Sequence, residues 1–149
     1  PICGSVPPGF ASLRNLTKFN CNFCCLSGVF PAKVFQNKPH LQETFWDGNN
    51  FTGPIPSTVS NLSALTKISF NLNSMSGSTP MGLCDLKLLH DCRIGSDVDY
   101  RPYDLNSGEK AWVPIANGNL FACPVPECLL NGACGNPQAS PVASPIKCT

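Results

Sequence analysis

The sequence is poor in charge, in histidine and in long apolar runs. Charged residues make up 13% of 149, and ten Lys and Arg against nine Asp and Glu leave a net charge of +1. Such a balance excludes the basic stripe that displaces counterions from phosphates, so no nucleic-acid partner is expected. Histidine occurs twice, at His40 and His90, and no metalloprotease, phosphate-loop or EF-hand motif is present. His90 beside Asp91 does not make a Ser/His/Asp grouping, so the sequence reads as a non-enzyme with no cofactor and no metal. No run of about 20 apolar residues occurs, which excludes a membrane-spanning helix.

Cysteine, proline and glycine are abundant instead. Fifteen Pro and twelve Gly interrupt any long helix. Ten cysteines, an even number, point to disulfides and so to a secreted, extracellular or cell-surface setting. Three N-x-Ser/Thr sequons, at Asn15, Asn50 and Asn61, agree and are the candidate glycosylation sites. Cys21-x-x-Cys24 has the spacing of half a zinc site or of a redox dithiol. A second ligand pair and a following helix are both missing, so these cysteines read as core or disulfide residues.

A Gly-x-x-Pro step recurs at Gly4-Ser5-Val6-Pro7, Gly28-Val29-Phe30-Pro31, Gly53-Pro54-Ile55-Pro56 and Gly77-Ser78-Thr79-Pro80, at intervals of 24, 25 and 24 residues. Apolar residues keep a fixed phase ahead of each glycine. The third unit runs Leu62, Leu65, Ile68, Phe70, Asn73, Met75, Gly77, and the first runs Leu13, Leu16, Phe19, Cys21, Cys24, Leu26, Gly28. The second is looser (Leu41, Thr44, Trp46, Asn49, Phe51, Gly53) and carries one inserted residue. A fourth begins Leu86, Leu89, Cys92, Ile94, Asp97 and then lacks its glycine. Short alternating segments such as Ile68-Ser69-Phe70 suit strands with one face buried.

This pattern resembles the plant-type, 24-residue class of the leucine-rich repeat family, with Asn49-Asn50-Phe51-Thr52-Gly53-Pro54-Ile55-Pro56 the nearest stretch to its consensus. The resemblance implies an α/β-type repeat: a short right-handed solenoid with one parallel β-sheet on its concave face and a mostly irregular or 3-10 convex side. Residues 1–97 would form about four coils, the first partial; 98–135 a cysteine-stapled C-terminal cap; 136–149 a Ser/Pro-rich tail. Gly118 to Cys128 is similar to the cap of such ectodomains, and Tyr100, Tyr103, Trp112 and Val113 are its expected packing residues. Because Pro1-Ile2-Cys3-Gly4 falls within a repeat, either more chain or a partner is expected to cover that end. Repeat phase places Cys3 one coil from Cys25 and makes a short Cys84–Cys92 staple attractive. Cys123, Cys128, Cys134 and Cys148 would then hold the cap.

Solenoids work through extended concave surfaces, and aligning the four strands gives the columns of such a surface. Lys18, Glu43, Lys67 and Asp91 form one; Asn20, Phe45, Ser69 and Arg93 the next; Asn22, Asp47 and Asn71, with Gly95, a third. Phe23 shares a fourth with Gly48, Leu72 and Ser96. Phe23, Phe45 and Arg93 have the side-chain types enriched at binding hot spots, although the two phenylalanines also suit a role of shielding neighbouring strands. The reading is non-enzymatic recognition of a protein or glycan partner by this face. The alternative is a structural subunit that meets neighbouring subunits of an extracellular assembly, sheath, appendage or cell wall. A flat ordered surface, such as ice or a wall polymer, would demand regular Thr or Asn columns, and these columns are mixed.

Overall fold

The computed structural model describes residues 3–94 and 119–122. Among these residues, pairs of short strands alternate with single 3-10 turns: β1 (Lys18–Asn20), β2 (Ser27–Val29), β3 (Glu43–Phe45), β4 (Asn50–Gly53), β5 (Lys67–Ser69), β6 (Ser74–Gly77), β7 (Asp91–Arg93) and β8 (Leu120–Phe121). The odd strands pair in parallel in the order β1-β3-β5-β7, and the even strands in the order β2-β4-β6-β8. Strands adjacent in a sheet lie two apart in the chain, so each coil contributes one strand to each sheet and one 3-10 turn to the convex wall. This is the stacked-coil solenoid that the repeat implied. The second parallel sheet is an addition, because only the concave sheet was expected.

Local chemistry accounts for each coil. Pro7, Pro31, Pro56 and Pro80 stand immediately before the four 3-10 turns, with φ between −60° and −73°. Their rings fix the angle at which the chain enters the turn. Gly53 and Gly77 end β4 and β6 at φ +73° and +89°, the left-handed backbone that turns the even strand toward that proline. Between glycine and proline, Val6, Phe30, Ile55 and Thr79 point inward and are buried.

The interior is richest in aromatic rings in its first three coils. Trp46, Phe51 and Phe70 are fully buried and Phe30 nearly so. Phe30 meets Trp46, Phe51 and Phe70 edge-on at centroid distances of 4.9, 5.0 and 5.0 Å, the arrangement ring quadrupoles favour. Thr44 explains the looseness of the second unit. It takes a core position on β3, and its hydroxyl accepts the Trp46 indole N–H at 2.6 Å.

A ladder of asparagines closes the turn between the two sheets. The Asn49 amide nitrogen donates to the carbonyls of Trp46 and, one coil back, Cys21; Asn73 repeats this with Phe70 and Trp46. Each Oδ1 accepts a backbone N–H of the preceding coil, Leu26 for Asn49 and Phe51 for Asn73. The third rung is Asn119, which donates to Ile94 and Phe70 and accepts from Met75. Asn49 and Asn73 lie three residues after the strand carbonyl they close, whereas Asn119 lies 25 after Ile94. Asp97, which repeat phase put at the fourth rung, lies outside the described residues. Residues 119–122, assigned to the cap by sequence, carry the fourth coil's even strand, with β8 paired on β6.

Cys3 and Cys25 are joined, as repeat phase suggested, and Cys21 is joined to Cys24. Cys84 and Cys92 are disulfide-bonded too, but the staple expected between them is absent from the bonds between described cysteines. Cys84 ends a convex turn, while Cys92 points inward from the concave strand β7. Cys123, Cys128, Cys134, Cys148, Tyr100, Tyr103, Trp112, Val113 and the Ser/Pro-rich tail lie outside the described residues.

Candidate interaction face

The register of the odd strands builds the concave face. Phe19, Thr44, Ile68 and Cys92 are aligned side by side and close the interior. On either side of that inward column the expected outward columns are in register: Lys18–Glu43–Lys67–Asp91 and Asn20–Phe45–Ser69–Arg93. Neighbours in a column are separated by the interstrand spacing of about 4.8 Å, close enough for long side chains to interact.

The charged column neutralises itself. Glu43 lies between two amines, 3.2 Å from Lys18 and 3.5 Å from Lys67. The hydrogen bond from Lys18 and the charge of both lysines hold its carboxyl below the usual 4.5. On β7, Arg93 grips Asp91 two residues back with two N–H donors, at 3.0 and 3.1 Å. Exposed pairs of this kind add little stability. Their effect is to leave the face without a net field, so its recognition chemistry rests on directional contacts and not on attraction of a charged partner.

The uncharged groups between the charges are held in place from below. Asn20 accepts the backbone N–H of Asn22 at 2.9 Å, and Asn22 accepts that of Asp47 at 2.7 Å. With their oxygens committed, both amide nitrogens remain as oriented donors. Phe45 is half-buried beside them, and Phe23 is exposed at the turn. Phe23, Gly48 and Leu72 all take left-handed backbone, with φ of +60°, +64° and +57°. The Phe23 ring lies across Gly48, where an added Cβ would come within 1.7 Å of it. The shielding role is therefore real for Phe23, which needs glycine in the next coil.

Three residues depart from expectation. Ser69 and Asn71 were placed on the open surface and are buried, at 1% and 6% exposure. Ser69 is a short side chain flanked in register by Phe45 and Arg93, and its hydroxyl donates to the Asp47 carboxylate. Leu72 is buried as well. The open part of the face consequently lies toward β1 and β3, at Lys18, Asn20, Asn22, Phe23 and Phe45, with Arg93 on β7. Asn15, Asn50 and Asn61, the three sequon asparagines, are all exposed and lie outside the odd strands. Among the described residues there is no cluster of three or more His, Cys, Asp or Glu able to hold a metal, and no helix long and apolar enough to cross a membrane.

One residue the sequence did not flag is Lys38. It falls at the position of Leu62 and Leu86, since Leu41, Leu65 and Leu89 each donate their N–H to the residue three before. Its stem occupies a core site at 2% exposure, and its ammonium meets the carbonyls of Phe10, Ala11 and Leu13.

Twin parallel sheets, a Gly-x-x-Pro turn and an asparagine ladder on a two-dozen-residue repeat define a plant-type leucine-rich repeat solenoid. No family model matches the sequence. Among solved structures, the chain is similar to a TDR receptor, with 32% identity over 81% of this chain and 17% of that one, at a TM-score of 0.60. It is also similar to the leucine-rich repeat ectodomain of the Arabidopsis thaliana membrane receptor kinase GASSHO1/SCHENGEN3, solved in complex with Casparian strip integrity factor 2. There the identity is 27% over 62% of this chain and 11% of that one, at a TM-score of 0.60. The fold is shared with the Arabidopsis receptor kinase HAESA ectodomain, at 21% identity over 89% of this chain and 18% of that one, with a TM-score of 0.64. The chain thus spans less than a fifth of the length of each.

Proposed function

We propose that this chain is a non-enzymatic, extracellular recognition module that binds a protein segment on its concave face. The observation that carries the reading is the register of β1, β3, β5 and β7, which sets Asn20, Phe45 and Arg93 in one row beside a self-neutralised charge row. An aromatic anchor, oriented amide donors and an arginine on a rigid parallel sheet are groups that hold a polypeptide by hydrogen bonding and apolar contact. The paired charges argue for a partner that is not a polyanion. The receptor-kinase ectodomain at 27% identity was solved with a bound factor, which supports recognition as the task of this architecture. The disulfides support an oxidising, extracellular setting.

The test is site-specific photo-crosslinking in native extracellular extract. A photoreactive residue at Asn20 or Phe45 is expected to capture a polypeptide, and one at Val29, exposed on the even sheet, is not. Phe45→Ala with Arg93→Ala should cut the capture by roughly tenfold or more, the scale of one or two lost anchors. Equal capture from Val29, or capture that survives the double variant, sinks the concave-face reading. Capture of a glycan alone sinks the choice of partner.

A further inference from the structure

In the second and third coils, the asparagine of the ladder closes the turn by donating to the carbonyl three residues back: Asn49 to Trp46 and Asn73 to Phe70. The first coil has Cys24 at this position, and the same step back, to Cys21, is spanned by a disulfide. A thiol at position 24 offers one weak donor where asparagine offers two amide N–H groups and an acceptor, so it does not substitute for the rung unaided. Asn22 and Phe23 lie inside the span the bond closes. The same two residues tie the first coil to the second, since Phe23 donates its N–H to the Asp47 carbonyl at 2.8 Å and Asn22 accepts the Asp47 N–H.

We propose that Cys21–Cys24 is a thiol-cleavable rung of the ladder, clamping the N-terminal end of the concave face. Both cysteines are half-buried rather than enclosed, so a small thiol has access to the bond. Attack by a dithiol, or by two monothiols of the glutathione class, transfers two electrons and two protons. Cys21 and Cys24 become thiols, and the reductant becomes a disulfide. The solenoid survives this step because the bond closes a span of three residues, against 22 for Cys3–Cys25, and a short loop removes less entropy from the unfolded chain. Reduction instead frees Asn22 and Phe23. The consequence for binding rests on the recognition reading above; the clamp itself does not.

Amide hydrogen exchange on the full chain without any ligand separates the two. In Cys21→Ala/Cys24→Ala, exchange at Phe23 and Asp47 should rise roughly tenfold or more, while Phe51 and Met75, held by the rungs at Asn73 and Asn119, stay unchanged. Cys21→Ala/Cys24→Asn, which rebuilds the ordinary rung, should return both amides to near the wild-type rate. Wild-type chain treated with dithiothreitol and alkylated at both sulfurs should match the first variant, whereas the asparagine variant under the same treatment should not. Unchanged exchange at Phe23 and Asp47 overturns the clamp. So does a rise that extends to Phe51 and Met75, a failure of asparagine to rescue, or sulfurs that alkylate only on global unfolding. Loss of crosslinking with an intact clamp would count against the recognition reading alone.

Discussion

The ammonium of Lys38 sits 3.0 Å from the carbonyl oxygen of Phe10, one coil away and inside the solenoid wall. A lysine thus fills a leucine position of the repeat, with its stem in the core and its charge turned onto the end of the previous coil's 3-10 turn. Lys38→Leu restores the apolar side chain the position otherwise takes, and exchanging a buried charge for a hydrophobe of similar size is often nearly neutral, so a change within about 1 kcal/mol is expected. Lys38→Ala instead leaves a cavity and should cost about 2–4 kcal/mol in urea unfolding, while the Phe10 and Leu13 carbonyls keep their backbone donors in either variant.

The same residue sets a pH dependence. Burial holds the Lys38 amine below its ordinary 10.5, so the unfolded chain binds this proton more tightly than the folded one. Stability relative to Lys38→Leu should then rise as pH climbs through the window beneath 10.5 and level off above it. Unfolding of both proteins from about pH 8 to about pH 11 measures the difference. A difference that falls over this window contradicts the burial.

How much of this was visible beforehand depends on distance along the chain. Apolar phase alone located the inward residues Phe19, Ile68 and Cys92, and it placed Cys3 next to Cys25, because a fixed coil length turns sequence separation into spatial register. The same fixed length did not find Asn119, the ladder residue that bonds Ile94 in the fourth coil, since periodicity cannot be followed across an interruption. Alternation predicted which concave side chains face outward but not their exposure. Ser69 is too short to emerge between Phe45 and Arg93. Lys38 was illegible because its burial depends on carbonyls that only stacking brings together.

Gly48 and Phe23 form a pair that a double-mutant cycle can read. Alanine at 48 must accept φ +64° and would also strike the Phe23 ring. The backbone alone costs roughly 1–2 kcal/mol, and displacing the ring adds to it. In a Phe23→Ala background only the backbone part should remain, leaving a coupling of about 0.5–3 kcal/mol by denaturation. Strict additivity would mean that the ring does not lie over the glycine.

The ladder rungs should differ in weight according to burial. Asn73 is 1% exposed and Asn49 half-buried. Asn73→Ala strands the Phe51 N–H in a buried setting, while the Trp46, Phe70 and Asn71 carbonyls keep donors from Asn49, Asn119 and Gly48, for an expected loss of about 1–3 kcal/mol. Asn49→Ala should cost less, because its bond to the Leu26 N–H is part-buried where that of Asn73 to Phe51 is buried. Thermal unfolding ranks the two, and the reverse order would contradict the burial.

Glu43 tests the charge arrangement of the concave face without any ligand. Its carboxyl is held below 4.5, first by the hydrogen bond from Lys18 and then by the charges of Lys18 and Lys67. A depressed carboxylate lends its stability above the unfolded value and loses it as pH falls through the folded one. Carboxyl-carbon NMR titration should therefore place Glu43 below 4.5 in the wild type and move it upward in Lys18→Met/Lys67→Met, which removes both donors and both charges and leaves only desolvation, which raises it. A titration unmoved by that double variant would show that the lysines do not neutralise the column. The face would then carry a field, and polyanionic partners would return to consideration.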